Sequence, residues 1–508
     1  MPAVETRVRA AQRVVRGNRG AVSAAHPAAA AAGAAVLHDG GTAVDAAIAA
    51  QAVIAVLRPD AASLGGDLLA LVRTADGTVT AINGTGASAA AVVEPGAGPG
   101  ASVTTPGLVG GWHALHARFG RRPLAEVLEP AVRLADRGVV VEDDLLRAVA
   151  AHRDRLLAGG SEAWSLFALP RDGRWRQPEL AGLLLALGRT GPGPTATFYT
   201  GAPAAAIAAA VSRHGGALGL TDLATHDTVV VPPLTAPWGS GRVHVQPPMT
   251  QGVLLAMALR HLDRDGPSAD GSPDDLDHLL VELTEAVFAH RSDCGRGAAL
   301  FDLPLEVDRE RAARRGGPRA YLHTAGVAAV DADGTVVSSL VSVFDDFGSG
   351  VFVPELGFTL NNRAEGFTDG ANAYAPGRRP VHTLAPCLLE DGSQVLALAT
   401  PGADGQVQTL LQILAAQRYR GSTLAAAVAA PRWRTEGGTL LVEAGHPATA
   451  GLRTRGHEVA ERPAGDPVFG GVVAAGTDAS GPYGLADWRR QVTAVAAGPA
   501  PTDVEDPR

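Results

Sequence analysis

One absence removes much of the chemistry open to this 508-residue chain. It contains no lysine, so all 43 of its basic residues are arginine. That excludes a P-loop, whose lysine contacts the phosphates. It excludes Schiff-base and pyridoxal chemistry, which need a side-chain amine, and serine–lysine catalysis. The two cysteines, Cys294 and Cys387, form no C-x-x-C pair and are too few for a disulfide scaffold. His278, Glu282, Glu285 and His290 recur at helical spacing and could be assembled into a metal cluster. Their order is not H-E-x-x-H, and they read as one side of a half-exposed amphipathic helix with no metal. Gly348-Ser349-Gly350 is not a G-x-S-x-G nucleophile elbow. The glycines at 84 and 86 lack the following helix and acidic residue of a dinucleotide site.

The elements that must position any reacting group read as α/β. The length allows one large domain or two to three ordinary ones. Alanine and glycine dominate and aromatics are only 4%, so the core must be built from small side chains, as in helices packed tightly on sheets. Residues 1–19 read as a polar leader without the apolar stretch of a signal peptide. A strand at 21–25 leads into a helix over 28–37, and Thr42 is placed to cap a second helix over 43–57, with Asp45 three residues on. Runs at 68–72 and 79–83 flank Asp76-Gly77 and read as a hairpin. Helices dominate from about 110 to 290, with strands between 229 and 245. Segments 93–107 and 189–195 read as surface loops, and 264–274 as the segment most prone to disorder. The runs 327–330 and 336–343 flank Asp333-Gly334, a strong hairpin signal, and 388–390 and 395–398 flank another Asp-Gly turn. A helix follows over 407–416. No run of 18 uncharged apolar residues reads as a membrane span. The net charge of −9 argues against nucleic acid as a partner, and the cytoplasm is the expected compartment.

With these elements laid out, the order of blocks resembles the γ-glutamyltranspeptidase family of N-terminal nucleophile hydrolases. Residues 22–66, VSAAHPAAAAAGAAVLHDGGTAVDAAIAAQAVIAVLRPDAASLGG, resemble its opening strand, its helix ending in G-G-N-A-V-D-A and its G-x-G-G loop. Residues 105–135, Phe198-Tyr199-Thr200-Gly201 and Pro247-Pro248 match further blocks. Residues 323–362, HTAGVAAVDADGTVVSSLVSVFDDFGSGVFVPELGFTLNN, align without gaps to the family's T-T-H-x-S-V-V-D-x-D-G through F-G-S-G to L-L-N-N. RRPVHTLAPCLLEDG, ATPGADGQVQTLLQIL and AAAVAAPRWR resemble three later blocks. The likeness covers roughly residues 20–440.

The resemblance implies a four-layer αββα sandwich and a precursor that cuts itself between His323 and Thr324. Residues 1–323 would form a large subunit and 324–508 a small one, together making one αββα unit. Thr324 would then carry both nucleophile and base, because a free α-amine has a pKa of about 7.7–8.0. Ser342 stands where the family has a threonine whose hydroxyl contacts the nucleophile. Gly402 and Ala403 stand where Gly-Gly amides form an oxyanion hole. The resemblance implies no metal and no cofactor. Its partners are a small-molecule amide and the two fragments of one precursor, with a homodimer of the processed unit compatible with it, and neither nucleic acid nor membrane.

The departures fall in the pocket that, in the family, holds glutamate. Thr85 replaces the arginine that binds the α-carboxylate. Phe344 replaces an asparagine, Arg363 a glutamine and Gly366 an aspartate, and His382-Thr383 replaces Ser-Ser. Together these changes imply an acyl group other than γ-glutamyl, lacking an α-amine and bearing an acid or another acceptor near Arg363. Two other readings remain open on the residues: a genuine γ-glutamyl hydrolase or transpeptidase, and a non-catalytic homologue with a binding or scaffold role. Ala325 and Gly326 replace the second threonine and the histidine of the family's T-T-H.

Overall fold

The computed structural model describes residues 14–92, 97–169, 173–189, 194–267, 273–313, 315 and 324–500. Fourteen strands of the described residues form two seven-stranded sheets. They are β1 (Val15–Arg16), β2 (Gly20–Ala24), β3 (Asp67–Arg73), β4 (Val79–Asn83), β5 (Val229–Val231), β6 (Leu234–Trp238), β7 (Gly241–Val245), β8 (Ala325–Asp331), β9 (Val336–Ser342), β10 (Cys387–Asp391), β11 (Gln394–Ala399), β12 (Val473–Asp478), β13 (Gly481–Ala486) and β14 (Thr493–Ala497). The first sheet runs β14-β2-β8-β9-β3-β4-β5 and the second β1-β13-β12-β11-β10-β7-β6. Strands from before and after residue 324 interleave in both sheets. In the first, β8 sits between β2 and β9, and β9 pairs with β3.

The pairing follows local chemistry. Asp-Gly turns close the β3–β4, β8–β9 and β10–β11 hairpins as expected. Along β3 the side chains alternate: Leu68, Ala70 and Val72 join one apolar cluster, and Leu69 and Leu71 join another. The period of two lets one strand serve two cores. The second of these clusters lies between the sheets, where Leu69, Leu71, Ala328 and Leu340 meet Leu388, Val395, Ala397 and Val473. The first is shared with helices α1 (Pro27–His38) and α2 (Ala43–Leu57). Thr42 and Asp45 form a complete capping box at the start of α2. Against the second sheet pack α3 (Gly252–Asp265), α4 (Pro273–Phe288) and α5 (Gly405–Arg420). α2 is buried all round, and it is alanine that allows so close an approach.

Two expectations need correction. The polar leader read over 1–19 ends earlier, because Val15 and Arg16 already pair with β13 and Arg16 forms an ion pair with Asp478 at 2.7 Å. Residues 1–13 lie outside the described residues, as do parts of the three expected loop segments. The second correction concerns α4. It is a helix as expected, but His278, Glu282 and Glu285 are buried rather than half-exposed. Their polar atoms are taken up by groups distant in sequence, which periodicity does not reveal.

Candidate active site

Three strand ends bring Thr324, Ser342 and Asp67 together. Thr324 immediately precedes β8, whose register with β9 pairs Ala325 with Val341 and so sets Thr324 beside Ser342. The register of β9 with β3 pairs Ser342 with Asp67. The Thr324 hydroxyl donates to Ser342 Oγ at 3.4 Å, and both residues are buried. Ser342 Oγ also accepts the Phe344 amide N–H at 2.9 Å. The loop before β3 passes very close by: a Cβ on Gly66 would lie 2.5 Å from the Ser342 carbonyl oxygen, so glycine is required there.

Beyond Ser342 the chain turns sharply. Phe344 has φ +83°, a left-handed conformation that is strained for an aromatic residue. Its ring lies 4.6 Å from the guanidinium carbon of Arg363. Arg363 is fully buried, and its backbone N–H is fixed at 3.0 Å by the side chain of Asn361. Its Nε donates to Asp67 at 2.9 Å, and neither Nη1 nor Nη2 has a hydrogen-bond partner. His382 Nε2 donates to the same Asp67 oxygen at 3.4 Å, while its Nδ1 accepts from the Leu384 amide. Burial and then the Arg363 charge push the His382 pKa down to about 4, so its ring is neutral at pH 7. Burial opposes ionisation of Asp67, but His382 and Arg363 together hold its pKa below the usual carboxylate value.

The turn at 402–405 supplies the third component. Gly402 has φ +123° and Ala403 φ +47°, so alanine here occupies a left-handed position. Gln251 holds the turn by donating to the carbonyls of Ala403 (2.7 Å) and Thr383. Gly405 N–H closes it onto Gly402 O at 2.7 Å. The N–H groups of Gly402 and Ala403 have no acceptor among the described residues. A cavity of about 400 Å³ opens at Thr324, with Arg58, His152, Asp346, Pro401, Pro467 and Arg490 among its walls.

The other expected residues fall as follows. Thr85 is buried, and its hydroxyl donates to Asn83 at 2.6 Å. The Thr383 carbonyl is committed to Gln251. His323 lies outside the described residues. Of the helical cluster, His278 and Glu282 approach His457, with their ligating atoms within 4.8 Å of one another. Those atoms already have protein partners: His278 bonds His457 at 2.8 Å, and Glu282 accepts the Ala313 amide at 3.0 Å. Asp67 was missed from sequence. An aspartate heading the apolar run DLLALVR reads as a strand boundary, and only the register of β3 with β9 shows that it faces the site.

A family model described as gamma-glutamyltranspeptidase matches residues 29–497. The oxamate amidohydrolase proenzyme of Klebsiella pneumoniae is 33% identical, covering 78% of this chain and 82% of that protein. The acylase ACY 1 proenzyme of Pseudomonas sp. strain SE83 is 31% identical, covering 94% of each. Among solved structures, the cephalosporin acylase from Bacillus halodurans superposes with a TM-score of 0.83 at 28% identity, covering 96% of this chain and 97% of that one.

Proposed function

Because this chain belongs to the γ-glutamyltranspeptidase family, we propose that it is made as a precursor, cuts itself before Thr324, and then hydrolyses or transfers small acyl groups that carry a carboxylate and lack an α-amine. The observation that carries the acyl preference is Arg363. A buried guanidinium with two unpartnered nitrogens is costly unless an anion completes it. Oxamate has a carboxylate directly on its amide carbonyl and no amine, and the relative named for it supports the same reading. The layering of helices, two facing sheets and helices supports the four-layer αββα arrangement. The interleaved strands support residues 1–323 and 324–508 as subunits that stay together after the cut.

The chemistry follows from the geometry. After cleavage the Thr324 α-amine takes the proton of its own hydroxyl, with Ser342 Oγ orienting that hydroxyl. Oγ1 attacks the amide carbon, and the carbonyl electron pair moves to an oxygen held by the N–H groups of Gly402 and Ala403. Collapse expels the amine, which takes the proton from the α-ammonium. Water or a second amine then resolves the ester.

Two measurements test this. Purified wild type should separate into fragments ending at 323 and beginning at 324, whereas Thr324→Ala should stay at 51.6 kDa. Wild type should prefer oxalyl, succinyl or glutaryl anilides over the γ-glutamyl anilide, and Arg363→Gln should lose roughly 100-fold in kcat/KM on the acid-bearing donors. A wild type that stays intact, or that favours the γ-glutamyl donor, would overturn the reading.

A further inference from the structure

A buried cation beside the 402–405 turn takes no part in the acyl-transfer steps. Arg434, in the strand Trp433–Glu436, is 2% exposed. Its Nη1 donates to the Val468 carbonyl at 3.1 Å, and its Nε lies 3.3 Å from a Glu436 carboxylate oxygen without making a hydrogen bond. Its Nη2 has no partner. The guanidinium lies against the backbone of the 402–405 turn: a Cβ on Gly405 would sit 2.7 Å from Nη1, and one on Gly402 3.5 Å from it. Glycine at 405 is therefore the space in which the guanidinium rests.

Charged groups surround this turn. Asp404, within the turn, carries a carboxylate that opposes a negative charge nearby; Arg291 pairs with it at 3.1 Å. Arg434 also feels Asp404, and Arg490, on the wall of the Thr324 cavity, feels Arg434. Arg490 also feels Arg58, Asp346 and Asp60, so charge balances over the wider cavity, and Arg434 is the guanidinium that lies against the turn itself. In a site screened from water, a guanidinium held against the turn acts on any charge that forms there.

We propose that Arg434 is a positioning residue of the acyl-transfer site, shaping the 402–405 turn and supplying the positive field behind the oxyanion. It rests on the assignment of Thr324 as nucleophile and of the Gly402 and Ala403 amides as oxyanion donors. The field is felt when the carbonyl oxygen becomes anionic and scarcely at all by the neutral amide, so its effect belongs in kcat rather than in KM.

The probe is a small alkylboronic acid with the processed protein. Thr324 Oγ1 bonds to boron, its proton passes to the α-amine, and the boronate becomes a tetrahedral anion that mimics the intermediate. Arg434→Gln should weaken its binding about 10- to 100-fold and lower kcat by a similar factor with KM within about twofold, whereas Arg434→Lys should keep most of the affinity. Unchanged boronate affinity in Arg434→Gln overturns the role. So does equal loss in the Lys and Gln variants with matching loss of thermal stability, since that pattern is packing. Failure of wild type to form any adduct overturns the Thr324 reading and this proposal with it.

Discussion

Two buried arginines in this molecule are treated in opposite ways. Arg489 uses every donor it has. Its Nε and Nη2 reach the Glu443 carboxylate, its Nη1 reaches Asp487 at 3.0 Å, and the carbonyls of Val428 and Ala430 take the rest. Arg432 pairs with the same Asp487 at 2.6 Å, so two guanidinium groups meet two carboxylates. Arg363 is as deeply buried, yet only its Nε is used. Arg489, which serves the fold, is completed by the fold. Arg363, with two open nitrogens near Thr324 and Ser342, is left incomplete by the fold, which is what the proposed acid-bearing acyl group would complete.

The largest expected effect tests that contrast directly. Both arginines are replaced by methionine in the uncut Thr324→Ala chain, and stability is read by urea unfolding. Arg489→Met should cost about 3–5 kcal/mol, because Glu443 loses its main partner inside the protein and Asp487 loses one of its two. Arg363→Met should cost under about 2 kcal/mol, because it also removes two unsatisfied nitrogens and leaves Asp67 its bond to His382. Equal costs would mean that Arg363 is a structural cation like Arg489.

The neutral His382 ring gives a second and smaller test. Its folded pKa of about 4 lies below the roughly 6.5 of an unfolded histidine. As pH falls from 6.5 towards 4, the unfolded chain takes up a proton that the folded site refuses, so stability falls by about 1.4 kcal/mol per pH unit for this one group. Asp67 adds to the loss only below about pH 4, because its depressed pKa keeps its contribution intact above the unfolded carboxylate value. His226, also pushed down to about 4 by burial, contributes in the same window. His382→Gln should therefore reduce the acid slope by one proton's worth rather than abolish it. A slope identical to wild type would show that His382 is already protonated in the fold.

The parts of this site that sequence reading reached are those written in local signals. Asp-Gly turns place β8 and β9, the Thr42–Asp45 box starts α2, and motif order points to Thr324, Ser342 and the Gly402–Ala403 turn. The parts it missed depend on pairing between distant segments. Asp67 becomes part of the site only through a register with residues some 270 positions later, and the burial of Arg363 depends on Phe344 and Asn361 together. The inward face of α4 was likewise hidden, since Glu285 finds Thr435 and Glu282 finds Ala313 only in the folded chain. An apolar periodicity cannot report a polar residue whose partners come from elsewhere.

The smallest expected effect concerns Ala403, where the turn departs from Gly-Gly. At φ +47° an alanine costs about 1–2 kcal/mol in the folded state that glycine does not. Glycine in turn frees the unfolded chain by about 0.4–1 kcal/mol, which offsets about half of that gain. Ala403→Gly should therefore shift stability by no more than about 1 kcal/mol, with turnover within about twofold, because the N–H proposed to hold the oxyanion is unchanged. Ala403→Val should behave otherwise, since a β-branched residue at positive φ is a genuine outlier and must twist the turn. Its kcat should fall at least tenfold, towards the roughly 100- to 1000-fold typical of losing one oxyanion donor. Thermal melting and steady-state kinetics on the three proteins decide the matter. If valine leaves kcat unchanged, the 402–405 turn is not where the oxyanion is held, and the part of the site retained from the family is smaller than Thr324 and Ser342 imply.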